Sequence, residues 1–178
     1  MQTSSPGAAP AELDDDTLAF ARRVFGHARA GTTEALAPLL AQGLPPNLRN
    51  ERGDSLLMLA CYHGHLDSAR LLLEHGADPE MLNDAGQTPL AAAAFKGDAA
   101  VVELLLAHGA GVDHAGPNGR TALMIAAMFN RVGIARLLLA AGADPLLPDA
   151  AGLSIREAAA KMGAVEAVAL LNAVAEGR

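Results

Sequence analysis

Cys61, His63 and His65 alternate in the run CYHGH, and His75 follows further on. A thiol and imidazoles could ligate a metal, or a Cys–His pair could act as nucleophile and base. A metal site needs ligands that converge at about 2 Å from one ion. Gly64 breaks the chain between the two histidines, so the spacing does not impose convergence. A nucleophile needs a third, orienting group and an anion hole, and the sequence suggests neither. The acidic groups at Asp14-Asp15-Asp16 and Asn83-Asp84 fall at caps and turns, where they have backbone partners. No glycine run leads into the Lys-Ser/Thr of a phosphate loop. The expectation is no catalytic residue, no metal ligand and no cofactor. One alternative stays open: a metal- or small-molecule-responsive accessory protein using Cys61, His63 and His65.

Composition narrows the partner. The chain has 178 residues, 51% hydrophobic and 3% aromatic, without Trp, which reads as helical and globular. Its 20 acidic and 13 basic residues leave a net charge of -7. Duplex nucleic acid and anionic membrane both require a basic footprint, so neither is expected as partner. A single cysteine excludes a disulfide framework. No apolar run approaches the roughly 18 residues of a membrane span. The opening MQTSSPGAAPAELDDD lacks the basic and apolar regions of a secretory signal. These features predict a soluble, cytoplasmic protein, monomeric on its own.

The elements that must position any site are announced by glycine. Gly53, Gly86, Gly119 and Gly152 are spaced by 33 residues, as are Gly43, Gly76, Gly109 and Gly142. A third series with the same period runs Gly31, Gly64, Gly97, Asn130 and Gly163. Three series sharing one period without an insertion mark a repeat array. Within one unit, Thr88 and Pro89 form a helix start, and Gly97 ends that short helix in a tight turn. A longer helix follows, with Val101, Val102, Leu105 and Leu106 at helical spacing, and Gly109 stands at its left-handed end. Asn130 replaces glycine where a positive φ is needed, the next best choice. Such a helix pair cannot bury its apolar face alone, but stacked copies can.

The period and the pattern "TPLxxA…G…LLLxxGAD" resemble the ankyrin repeat. The matching stretches are SLLMLACYHGH…LLLEHGADP, TPLAAAAFKGD…LLLAHGAGV, TALMIAAMFNR…LLLAAGADP and the shorter SIREAAAKMGA. The chain is similar to small stand-alone bacterial ankyrin proteins. The resemblance implies an all-α solenoid of helix-turn-helix units with β-hairpin-like loops, curved into an L. It also implies that His65 fills a common turn position. The expected organisation is a disordered tail at 1–11, an N-terminal cap at 12–51, repeats at 52–84, 85–117 and 118–150, and a C-terminal cap at 151–178. The first helix should start behind Asp14-Asp15-Asp16-Thr17. The histidine of "TPLH" is replaced by Met58, Ala91, Met124 and Glu157, so the loops must be tied in another way or less tightly.

By the same resemblance, the two residues before each inter-helix glycine end the first helix on the concave face, where ankyrin arrays vary with their partners. Here they are Arg29-Ala30, Tyr62-His63, Phe95-Lys96, Met128-Phe129 and Lys161-Met162. Three of the five aromatics fall on these positions, whereas Phe20 and Phe25 are expected in the core. Aromatic, Met and basic residues together have the composition of an interface hot spot. Leu82 is expected as an apolar group at an exposed loop tip. The function implied is non-enzymatic binding of another protein through the concave face and loop tips, the partner being apolar at its centre and acidic at its rim. Partner-binding candidates are Arg29, Tyr62, His63, Leu82, Phe95, Lys96, Met128, Phe129, Lys161 and Met162. Two further expectations follow. Arg70, Glu103 and Arg136, one period apart, should form a convex charge ladder. The glycine-rich loop 109–119 should be the weakest joint, and Gly116→Asp should strengthen it.

Overall fold

The computed structural model describes residues 14–177, so the tail expected at 1–11 lies outside the described residues. Five helix pairs follow one another: α1 (Asp15–Ala30) with α2 (Thr33–Ala41), α3 (Leu56–His63) with α4 (Leu66–Glu74), α5 (Pro89–Lys96) with α6 (Ala99–Ala107), α7 (Ala122–Met128) with α8 (Val132–Ala140), and α9 (Ile155–Lys161) with α10 (Val165–Glu176). The odd-numbered helices pack in series as one layer, and the even-numbered helices pack in series as a second. This is an all-α repeat solenoid. The only extended pairing among the described residues is an isolated antiparallel bridge between Arg49 and Ser55, at the base of a hairpin-like loop.

Local sequence accounts for the start of each odd-numbered helix. Thr88 accepts a bond from the Ala91 N–H, and Pro89 occupies the first turn, where its missing donor costs nothing. Ser55, Thr121 and Ser154 cap their helices in the same way. Gly97 ends α5 at φ 86°. Asn130 has φ 54° and is the only non-glycine with positive φ among the described residues. Every positive-φ residue described belongs to one of the three 33-residue series. The first helix begins at Asp15, inside the acidic run rather than behind it. Asp14 is its cap and accepts the Thr17 N–H at 2.7 Å.

Helices of eight or nine residues are too short to persist alone, so stacking must stabilise them. Val24, Leu57, Leu90 and Leu123 repeat every 33 residues and are all at most 2% exposed. Each such side chain contributes about 1.5–3 kcal/mol on burial. At the next slot, where no further unit covers the helix, Arg156 replaces the leucine and is exposed. On α6 the buried set is Val101, Val102, Leu104 and Leu105. Leu106, expected in that set, is only half-buried, and Leu104 is buried in its place. Phe25 is buried as expected, but Phe20 is 38% exposed, with the Arg23 guanidinium 5.8 Å from its ring centre. No described helix buries Phe20. Arg70, Glu103 and Arg136 are exposed, but no ion pair forms among them, so the ladder is a row of separate solvated charges.

The loops are tied by bonds that repeat with the array. The backbone N–H groups of Asp78, Gly111 and Asp144 are held by side chains of Asn47, Glu80 and Asp113 from the preceding unit. Asn50, Asn83 and Asp149 each accept two N–H groups of their own turn. Gly116 takes the equivalent place without a side chain, and the closing bond from residue 116 to residue 120 is not formed. The Asp84 N–H bonds the Arg52 carbonyl, and the Ala150 N–H bonds the Asn118 carbonyl. The middle link would need an N–H at residue 117, which is proline. The remedy expected at Gly116 is overturned. A Cβ there would fall against the Gly86 carbonyl oxygen, 2.8 Å from the Gly86 carbonyl carbon and 2.9 Å from its Cα. Backbone cannot move aside as a side chain would, so glycine is required by close approach.

Candidate functional site

The concave stripe begins with the inner helices. Because they stack one period apart, residues just before each turn come into lateral register. Tyr62 and Phe95 stack at 5.7 Å with an 11° interplanar angle, and Phe95 meets Phe129 edge to face at 4.6 Å and 88°. His63 lies edge-on to Tyr62 at 5.2 Å and stacks on His65 at 6.0 Å. The result is a continuous ring ladder across three units. Tyr62 is 46% and Phe129 39% exposed, while Phe95 between them is half-buried. The rings therefore pack against each other and still present one face to solvent.

The ladder is held from behind. His65 Nε2 donates to the Arg29 carbonyl at 2.8 Å, and Arg131 Nε donates to the Phe95 carbonyl at 3.1 Å. Asn130 donates to Glu166 and accepts the Ala167 N–H. Each bond ties the end of one inner helix to the unit after it. His75 and His108 donate to carbonyls of their own helix ends. His65, His75 and His108 thus have structural partners. Cys61 is fully buried, and burial raises its thiol pKa far above the ordinary value, so it stays a neutral thiol. Cys61, His63 and His65 do not converge, and no group of three metal-ligating side chains assembles among the described residues.

Tyr62, His63 and Arg29 also line a groove of about 1130 Å³ between α1 and the loops at 49–54 and 83–87. Its floor includes Phe25, Met58 and Leu59. Arg22 stands beside Arg29 on its helical wall, and Arg52 lies on its loop wall. Arg22 was not legible as a site residue: it is one exposed charge on an amphipathic helix until the loops close the other side. At the far end, Met128, Lys161 and Met162 line a smaller hollow of about 180 Å³ with Arg120 and Asp149. Lys96 is exposed beside the ladder. Leu82 does not join either hollow. It is half-buried beside its loop turn, and its carbonyl accepts a bond from Arg49. The turn tips are at 51–52, 84–85, 117–118 and 150–151, so Leu82 lies two residues before its tip rather than at it.

Burial is the largest influence on His63, and the positive charges of His65, Lys96 and Arg29 add to it; all lower its pKa. The imidazole is the neutral centre of a cationic cluster.

The geometry, a stacked array of helix pairs with a half-exposed side-chain stripe, defines a repeat scaffold. The comparisons agree: residues 25–115 and 76–149 match the family described as Ankyrin repeats (3 copies), well over half of the chain. The chain belongs to the ankyrin-repeat family. A curated ankyrin repeat protein of Pseudomonas aeruginosa is 60% identical over 60 residues, covering 34% of this chain and 35% of that protein. The chain thus spans about a third of the length of that relative. Ankyrin repeats are in general protein–protein interaction modules without catalytic activity. No described helix is long and apolar enough to cross a membrane.

Proposed function

We propose that this protein binds another protein, without catalysis, through the stripe formed by Arg29, Tyr62, His63, Phe95, Lys96 and Phe129. Met128, Lys161 and Met162 extend the surface at the C-terminal end. The observation that carries this reading is the ring ladder: three of five aromatics are spent on one partly exposed line instead of the core. Rings held by neighbours lose little freedom on binding, so a preformed stripe lowers the ordering cost. The chain acts in the cytoplasm as a monomer, and its three middle units, 52–84, 85–117 and 118–150, present the ladder between capping units.

Affinity capture from lysate of the source cells, followed by mass spectrometry, tests the reading. Wild-type bait should retain a partner that bait carrying Tyr62→Ala, Phe95→Ala and Phe129→Ala does not. Equal retention by both folded baits contradicts it.

A further inference from the structure

We propose that the groove between α1 and the loops at 49–54 and 83–87 docks an acidic segment of the partner, whose carboxylates pair with Arg22, Arg29 and Arg52. This rests on the protein-binding reading above and adds the chemistry and location of the contact.

Charge on the groove walls is unevenly committed. Four arginines line the groove, Arg22, Arg29, Arg49 and Arg52, in a chain whose net charge is -7. Arg49 is already engaged: its guanidinium pairs with Asp84 at 2.9 Å and bonds the Leu82 and Gly53 carbonyls. Asp54 receives the side-chain amides of Asn50 and Asn83. Glu51 is the one remaining acid on the lining. Arg22, Arg29 and Arg52 form no ion pair with any described residue. Three exposed guanidinium groups thus face one free carboxylate, above a floor of Phe25, Met58 and Leu59.

Guanidinium is the group best suited to bidentate carboxylate recognition. Asp54, Asp84 and Glu51 stand on the loop wall, so a nucleic-acid backbone lying along the groove would meet like charge. A peptide can place its carboxylates toward the helical wall and apolar groups over the floor. That asymmetry favours an acidic peptide over a polyanion.

The test uses the full chain and two fluorescein-labelled peptides, one with several Glu around a central Leu pair in a Gly-Ser background, the other with Gln for each Glu. Anisotropy should show binding of the Glu peptide, weakened about tenfold or more in the Arg22→Gln/Arg29→Gln/Arg52→Gln variant and by raising salt from about 50 to about 300 mM. Arg136→Gln, on α8, should change nothing. All three groove arginines are exposed, so the variant should keep its helical circular dichroism; the single Arg52→Gln variant, with a smaller loss, guards against misfolding. Equal binding of both peptides, no binding of either, or an unchanged triple variant overturns the proposal. Tighter binding of an oligothymidine than of the Glu peptide also overturns it, in favour of a polyanion site. If the ring-ladder variant loses the native partner and the arginine variant keeps it, only this proposal fails. If both variants keep it, the protein-binding reading fails as well.

Discussion

The ring of Tyr62 lies parallel to the ring of Phe95, 5.7 Å away, although the two residues belong to different repeats. Phe95 in turn meets Phe129 at nearly a right angle, so one ring serves two contacts. The proposed binding surface and the inter-repeat packing share the same rings. The rings make their contacts within the array, while Tyr62 and Phe129 remain partly exposed.

Phe95→Ala should therefore destabilise the fold more than Tyr62→Ala or Phe129→Ala. An aromatic pair contributes about 0.5–1.5 kcal/mol beyond its buried area. Phe95 loses two ring neighbours and is the more buried ring, so its loss should cost about 2 kcal/mol; Phe129 loses one neighbour, and the more exposed Tyr62 loses Phe95 and the edge of His63, about 1 kcal/mol each. Urea unfolding of the three variants and of the Phe95/Phe129 double-mutant cycle measures this. A coupling near zero would show that the rings are neighbours without energetic contact.

The loop at 109–119 should exchange its amides faster than those at 76–86 and 142–152. Pro117 withholds one inter-loop donor, and Gly116 withholds one closing bond and two side-chain acceptances. Pro117→Ala restores the donor toward the Ala85 carbonyl and should slow exchange there. Its net stability should change by under about 1 kcal/mol, because the regained bond offsets the lost stiffness of proline in the unfolded chain. Gly116→Asp should instead destabilise by about 1–3 kcal/mol, as overpacking against backbone does. Mass-spectrometric hydrogen exchange and thermal melts check both; equal exchange in all three loops would contradict the account.

Asn130→Ala should destabilise by about 1–3 kcal/mol. Alanine at φ 54° is strained, and the bonds to Glu166 and Ala167 are lost. Asn130→Gly loses the same bonds without the strain and should fall between wild type and alanine. The order of the three melting temperatures is the readout, and glycine below alanine would contradict it.

Cys61 occupies a slot that holds Ala28, Ala94, Ala127 and Ala160 in the other units. The native thiol should resist aromatic disulfide reagents until the chain unfolds. Burial raises its folded pKa well above the ordinary thiol value, so the folded state keeps a proton that the unfolded state releases. Stability from this group is full below about pH 8.5 and declines above it, with a limiting slope of about 1.4 kcal/mol per pH unit. Cys61→Ala should lose that part of the alkaline decline. Identical stability profiles for the two proteins between pH 8 and 10 would contradict the burial argument.

What was legible in the sequence is what repeats. A positive φ is required at the same point of every unit, so it prints a glycine or Asn130 at a fixed period, and the helices and turns follow. The stripe was legible for the same reason, because Tyr62, Phe95 and Phe129 stand at repeated or adjacent slots. Contacts between unlike residues were not. The exposure of Phe20 depends on which residues of α1 the other helices bury. The fit of Gly116 depends on how closely one loop approaches Gly86. Arg22 becomes part of a groove only when loops more than twenty-five residues away close its other wall.

The central claim is that the ladder face meets a protein partner, and site-specific photo-crosslinking in living cells tests it most directly. A photoreactive phenylalanine analogue at position 62 or 129 should each yield an adduct with the same protein, while the analogue at position 103 or 136 on the opposite layer should yield none. Adducts of equal yield from both layers, or none from positions 62 and 129 in a folded, expressed protein, would contradict it.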